Sequence, residues 1–317
     1  MPKPAERVWS VVSELLSAGR FPVFTAPALF DFRTPAGLTL RGEMWGAGSR
    51  DFVFTHGNGF TAQTYAPALA PIASRVRVHG VNLRGHGGSG CPAEFPDWNG
   101  PYDDLVAYLR ERCAAPAILA GHSYGATLSL RVAAEHPELV GGLVLLEPLV
   151  LAGRHDDWGM RDGERSRAMI ARAAERRSHW ASREEAAAWL RARGAYQGWA
   201  EPAFAAFVAT ALVPAEDGGV QLACPPWLEA RGYMTLPDAI VFRWADAIRV
   251  PTAFLRGARS FPGAALEDLA RAIAISVVMT VPGTHTFPME HPAGTGRAVA
   301  AGLDLVLRAE GGDGVEL

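Results

Sequence analysis

The sequence predicts an α/β fold: a mostly parallel β-sheet with helices on both faces and an inserted helical cap. Three observations predict it. Short apolar runs such as Ala117–Ala120 and Gly142–Leu146 alternate with helix-length segments. These runs are apolar on both faces, as strands buried between two helical layers are. The rhythm changes after Pro148 into charged, alanine-rich helical sequence and resumes near Thr252. A chain of 317 residues is long enough for one large domain carrying such an insertion.

The elements follow in order. Leu29–Arg33 and Leu38–Trp45 read as two strands around the turn at Pro35-Ala36-Gly37. Asp51–Thr55 is a third strand and runs into His56-Gly57-Asn58-Gly59-Phe60. A helix is expected over Ala62–Ala73, with Pro67 early in it, and a strand over Arg75–Val81. The next segment, Asn82 to Ser89, is too rich in glycine for regular structure. Pro101–Arg112 has helical spacing, with Leu105, Tyr108 and Leu109 on one stripe. Ala117–Ala120 is a strand, Tyr124–His136 a helix ended by Pro137, and Gly142–Leu146 a strand closed by Glu147-Pro148.

Within the insertion, Met160–Arg177, Arg183–Arg193 and Glu201–Ala211 read as helices, and Val213–Pro237 as a looser stretch. Thr252–Leu255 and Ile275–Val281 are then strands, Ala264–Ala272 and Ala293–Arg308 helices. The expected division is a core of residues 1–148 and 248–317 with a cap at 149–247. Glu6–Ala18 has the pattern of a short amphipathic helix, without the apolar core of a secretory signal.

Composition excludes several classes. At 49% hydrophobic and 20% charged, the chain has the profile of a soluble globular protein. Its net charge of −3 and lack of basic blocks argue against nucleic acid as a partner. No apolar stretch is long enough for a membrane span. Cys91, Cys113 and Cys224 are odd in number and widely spaced, which suits a reducing cytoplasm. No group of histidines, cysteines and carboxylates has metal-ligand spacing, so neither metal nor cofactor is expected.

The segment with the most chemical content is Gly121-His122-Ser123-Tyr124-Gly125, between a strand and a helix. This pattern presents a serine on a tight turn, beside the amide-rich start of the next helix. A serine hydroxyl needs a base within hydrogen-bond reach, and the base needs an acid to fix its tautomer. His285, in Pro282-Gly283-Thr284-His285 after an apolar strand, is the candidate base. His291, past the turn beside Pro292, is a weaker competitor. His56, His86 and His122 read as structural: a brace for its loop, a residue of the glycine turn, and packing beneath the serine.

These motifs resemble the α/β-hydrolase superfamily over nearly the whole chain. His56-Gly57-Asn58-Gly59 is similar to its oxyanion loop, Gly121–Gly125 to its nucleophile elbow, and the His285 segment to its catalytic-histidine loop. Leu83–Ser89 is similar to its Arg-Gly-x-Gly-x-Ser turn, with Asn82 where an aspartate is usual. The resemblance implies the backbone N–H groups of Asn58 and Tyr124 as oxyanion donors, and leaves the Asn58 side chain to add a donor or orient substrate. The usual acid position after the insertion reads Leu255-Arg256-Gly257-Ala258-Arg259-Ser260-Phe261-Pro262, without a carboxylate. Some relatives carry the acid after the strand that follows the nucleophile helix, and that position here is Glu147. Asp246 is a weaker candidate, and Glu267 and Asp268 fall inside a helix.

A capped, carboxylesterase-like serine hydrolase is therefore expected, with Ser123, His285 and Glu147 as its triad. Its expected partner is a small or medium-sized, largely apolar carboxylic ester. Two alternatives keep the same fold. One is a carbon–carbon bond hydrolase, which needs cations such as Arg84, Arg256 or Arg259 for a second carboxylate. The other is a non-catalytic small-molecule binding protein, in which His285 and Glu147 would fail to meet. The insertion's tryptophans, Trp158, Trp180, Trp189, Trp199 and Trp227, favour an enclosed apolar pocket as a group.

Overall fold

The computed structural model describes residues 27–150, 164–236, 240–260 and 263–310. The expected helix at Glu6–Ala18 and Trp158 lie outside the described residues. Six strands precede the insertion: β1 (Ala28–Arg33), β2 (Thr39–Trp45), β3 (Arg50–Thr55), β4 (Val76–Val81), β5 (Ala117–His122) and β6 (Val140–Leu146). Helices longer than one turn are numbered from α1 (Asn99–Arg112) and α2 (Tyr124–Glu135). A long crossover after β6 holds α3 (Glu164–Ala174), β7 (His179–Trp180), α4 (Arg183–Arg191), α5 (Glu201–Thr210), β8 (Leu212–Pro214), β9 (Val220–Leu222), α6 (Pro226–Met234) and α7 (Ile240–Ala247). The chain then returns as β10 (Thr252–Gly257), α8 (Gly263–Arg271), β11 (Ser276–Val281) and α9 (Pro292–Glu310).

The main sheet has the order β1-β2-β4-β3-β5-β6-β10-β11. It is parallel from β4 to β11, with β2 antiparallel to both its neighbours. Every residue of β5 is buried, as a central parallel strand covered on both faces requires. Edge strand β1 instead alternates exposed and buried positions along most of its length. Alternation of side chains places Val53, Leu119, Leu143 and Phe254 on one face, with α1, α2 and α7. Phe52, Ile118, Val144 and Leu255 face the other core, shared with α9 and the crossover's aromatic side chains. From β3 the chain turns to β4 on one side, and from β4 it crosses to β5 on the other. That reversal falls at the carboxyl ends of β3 and β5, the place where open α/β sheets bind ligands.

The structure refines the expected elements. Ala62–Ala73 is a 3₁₀ turn, a short α-helical turn and a second 3₁₀ turn. Pro67 and Pro71, each near the start of a piece, break the continuous hydrogen-bond ladder. The crossover is not wholly helical: β7, β9 and β8 form a separate antiparallel sheet. Strands of two or three residues leave no readable periodicity in a sequence. The looser stretch expected after Val213 holds β9 and α6. No helix among the described residues is long and apolar enough to cross a membrane.

Candidate active site

Ser123 stands at the carboxyl end of β5 with φ 53° and ψ −110°, a conformation unusual for a non-glycine residue. Its N–H donates to the Leu146 carbonyl at 2.9 Å, fixing the turn to the neighbouring strand. The flanking glycines are needed for close approach. A Cβ at Gly121 would stand 2.5 Å from the Gly125 carbonyl carbon, and one at Gly125 would stand 2.3 Å from the Thr55 oxygen. Helix α2 begins at Tyr124, so its unpaired N–H groups and positive dipole end face the serine turn.

Glu147 ends β6 next door and is the other non-glycine residue described with positive φ, at 44°. Its N–H donates to the Leu255 carbonyl at 2.8 Å, which turns the side chain over the end of β10. The carboxylate is fully buried. Oε1 accepts the Gly257 N–H at 2.8 Å, and Oε2 accepts the Ser260 hydroxyl at 2.7 Å and His285 Nδ1 at 2.6 Å. Because a carboxylate accepts, Nδ1 of His285 carries the proton and Nε2 is the ring's basic nitrogen. The structure thus brings Glu147 and His285 together. Ser260, in the segment that lacks a carboxylate, supplies a hydroxyl to Glu147.

His285 reaches the serine turn through His122: the two rings lie 4.7 Å apart, and His122 Nε2 donates to the His285 carbonyl at 2.8 Å. The Ser123 hydroxyl itself has no hydrogen-bond partner among the described residues. Asn58 and Tyr124 are both buried, and neither backbone N–H has a partner among the described residues. The Asn58 side chain, expected to add a donor or orient substrate, is already committed. Its Nδ2 donates to the Glu229 carbonyl of α6 at 2.8 Å, pinning the loop to the crossover.

The remaining histidines separate cleanly. His56 bonds to the Gly57 carbonyl and accepts the Leu83 N–H, so it braces its loop. His86 accepts the Gly59 N–H at 3.0 Å and donates to the Arg84 carbonyl. Burial drives the pKa of His56 well below the usual imidazole range, with His86 adding to the effect, and takes that of His86 down to about 4. Both rings are therefore neutral near pH 7. His291 lies exposed at the start of α9, outside this cluster. Asn82 uses both ends of its amide: Oδ1 accepts the Ala62 N–H at 2.8 Å, and Nδ2 donates to Gln63 at 3.2 Å. An aspartate could not make the second bond.

The other candidate acids do not join the cluster. Glu267 pairs with Arg256 and Asp268 with Arg271, both on or beside α8, and Asp246 lies within α7. Arg84, a candidate for binding a second carboxylate, is held by Asp104 through two hydrogen bonds of 2.8 Å. No group of three or more metal-ligating side chains occurs among the described residues.

An aromatic cluster adjoins the site. Phe60 packs against His122 on one side and against Trp199 and Phe207 on the other, with ring centroids 5.3 and 6.0 Å away for the last two. Tyr196 extends the cluster at 4.9 Å from Trp199. A cavity of about 690 Å³ lies elsewhere, at the β1–β2 edge, lined by Phe30, Arg41, Glu43, Asn82, Arg183 and Thr210 among others. None of Ser123, Glu147 and His285 borders it, so the chemistry and not the volume locates the candidate site.

Comparison with known proteins bears on the family and the fold. A family model described as the alpha/beta hydrolase family matches residues 52–298. The 2-(acetamidomethylene)succinate hydrolase of Mesorhizobium japonicum is 33% identical over 95 residues, covering 30% of this chain and 34% of that protein. The pimeloyl-[acyl-carrier protein] methyl ester esterase of Edwardsiella ictaluri is 33% identical over 101 residues, covering 31% of this chain and 36% of the esterase. The aligned stretch thus spans about a third of the length of each of these relatives. The crystal structure of E-2-(acetamidomethylene)succinate hydrolase superposes with a TM-score of 0.73 at 25% identity, covering 87% of this chain and all of that one.

Proposed function

The chain belongs to the alpha/beta hydrolase family, and from that premise we propose that it is a serine hydrolase cleaving a small or medium-sized, largely apolar carboxylic ester. The observation that carries the reading is the 2.6 Å contact of buried Glu147 with His285, beside a serine in a strained turn. Two positive-φ residues at adjacent strand ends are the backbone cost of aiming both side chains at one crevice. The same contact counts against the non-catalytic alternative, in which these two residues would stand apart.

In this mechanism the Ser123 oxygen attacks the ester carbonyl while Nε2 of His285 takes its proton. Glu147 holds the Nδ1–H and stabilises the imidazolium. The N–H groups of Asn58 and Tyr124 receive the negative charge that develops on the carbonyl oxygen. As the tetrahedral adduct collapses, the C–O bond to the alcohol breaks and His285 returns the proton to the leaving oxygen. Water then repeats the sequence on the acyl-enzyme, releasing the acid and restoring Ser123. Every step is proton transfer or acyl transfer.

Residues 149–247 act in this reading as a cap between core segments 1–148 and 248–317. The cap's hold on Asn58 through Glu229, and the Phe60–Trp199–Phe207 cluster, support an apolar substrate face. The commitment of Arg84 to Asp104 weighs against carbon–carbon cleavage of a substrate with a second carboxylate.

A fluorophosphonate probe tests the reading. Labelling should map to Ser123 and vanish in Ser123→Ala. Folded wild-type protein that takes no label and hydrolyses no member of a chain-length series of p-nitrophenyl esters would sink it.

A further inference from the structure

The mechanism leaves the buried imidazole of the serine motif unused. His122 is fully buried directly before Ser123, and each of its ring nitrogens has a defined partner. The His285 carbonyl can only accept, so Nε2 of His122 carries the proton and donates at 2.8 Å. In the neutral ring Nδ1 is then an acceptor, and the Tyr65 hydroxyl donates to it at 2.7 Å. The Tyr65 oxygen in turn accepts the Gly57 N–H at 3.2 Å. One donor–acceptor direction satisfies the whole chain, from Gly57 through Tyr65 and His122 to His285.

We propose that Tyr65 and His122 are positioning residues, forming a crossbar that sets the loop bearing Asn58 and the backbone of His285 relative to Ser123. The inference rests on the hydrolase reading and adds residues that no part of that reading requires. Gly57 immediately precedes Asn58, and His122 immediately precedes Ser123. A single ring and a single hydroxyl therefore connect the oxyanion loop, the nucleophile turn and the base. Phe60 and Phe287 close over the His122 ring, with centroids 6.4 Å away in each case. Burial, and then the neighbouring His285, push the His122 pKa well below its ordinary value, so the ring stays neutral while its two partners fix the tautomer.

The bland alternative is that both side chains merely fill space. Tyr65→Phe distinguishes the two, because it keeps the ring and removes only the hydroxyl. The crossbar predicts a kcat for a p-nitrophenyl ester roughly ten- to hundredfold lower, since misplacing a catalytic group by a fraction of an ångström acts on the transition state. KM should change little. Affinity for a boronic acid that forms a tetrahedral adduct on Ser123 should fall in parallel. An unchanged kcat in folded variant protein would overturn the inference, as would a loss explained by a reduced folded fraction.

Nitrogen-15 NMR of the wild-type protein provides a readout that needs neither the variant nor a substrate. His122 should appear as the neutral Nε2–H tautomer from pH 8 to pH 5. The Nδ1–H tautomer, or titration near the ordinary imidazole value, would refute the crossbar even if Tyr65→Phe does not fold. Wild-type protein that folds but turns over no ester would refute the hydrolase reading, and the NMR result would still judge the crossbar.

Discussion

Two histidine–carboxylate pairs occupy the sheet, one at each end. At the carboxyl end His285 meets Glu147 at 2.6 Å, and toward the amino end of β3 His79 meets Asp51 at 2.9 Å. The pairs differ in what the second ring nitrogen does. His79 donates from Nε2 to Asp51, and its Nδ1 accepts the Tyr108 hydroxyl at 2.9 Å. That ring is 1% exposed, and Asp51 is also held by Arg77. His285 has its acid on Nδ1 and a side chain 26% exposed, so its basic nitrogen belongs to a ring that solvent and ligand can approach. A histidine beside a carboxylate is therefore a poor sign of chemistry by itself. The two pairs differ in the exposure of the ring and in the serine that stands at the end of the neighbouring strand β5.

Substitution breaks the comparison most strongly at Glu147. Glu147→Gln should lower kcat roughly 10³- to 10⁴-fold, because the amide no longer enforces the productive tautomer or stabilises the imidazolium. Steady-state kinetics with a p-nitrophenyl ester measures this, and retention of half the wild-type rate would move the acid role elsewhere.

The next effect is common to both ends. Burial is the leading cause that depresses the pKa of His56, His79, His86 and His122. Below the ordinary value near 6.5 the unfolded chain binds protons that these folded rings refuse. Stability is thus complete above about pH 6.5 and declines as pH falls toward the folded values. The slope is about 1.4 kcal/mol per pH unit for each ring that stays neutral. Urea midpoints at pH 7.5, 6 and 5 should fall in that order, and a flat series would contradict the assignment of neutral rings.

Asp51→Ala separates the two pairs. It strands the buried His79 N–H and should destabilise the fold by about 3 kcal/mol. The kcat of the folded fraction should stay within about twofold, as thermal melts and rate measurements on one preparation would show. Ser260→Ala should have the smallest effect. Losing one hydrogen bond to Glu147 should cost about 1 kcal/mol of stability and lower kcat by no more than roughly fivefold. No change in rate would mean that Gly257 and His285 hold the carboxylate unaided.

Much of this was legible in the sequence, for identifiable reasons. Buried parallel strands write themselves as continuous apolar runs, so β5 and β6 could be read directly, and with them the strand-end positions of Ser123 and Glu147. The missing carboxylate near Ser260 was visible as a departure from the family pattern. That a hydroxyl there would bond to Glu147 was not, because side-chain direction after β10 depends on the turn and not on composition. The His122–Tyr65 contact joins residues from a strand and a 3₁₀ turn 57 positions apart, a relation set by packing alone. The Asp51–His79 pair depends on the register of β3 against β4, and the small sheet of β7 to β9 on strands too short to show a period.

The position of Glu147 has one more consequence. It lies ahead of the long crossover, as do Ser123 and the N–H groups of Asn58 and Tyr124. Nearly all of the proposed machinery is thus encoded in one uninterrupted stretch of 90 residues, Asn58 to Glu147, and only His285 must be delivered afterwards. The crossover is consequently an interruption between two parts of the sheet that adds no residue to the proposed triad or oxyanion donors. A hydrogen bond ties it to that set, from the Asn58 side chain to the Glu229 carbonyl, and the spacing of Ser123 and Glu147 is left to the adjoining strands β5 and β6.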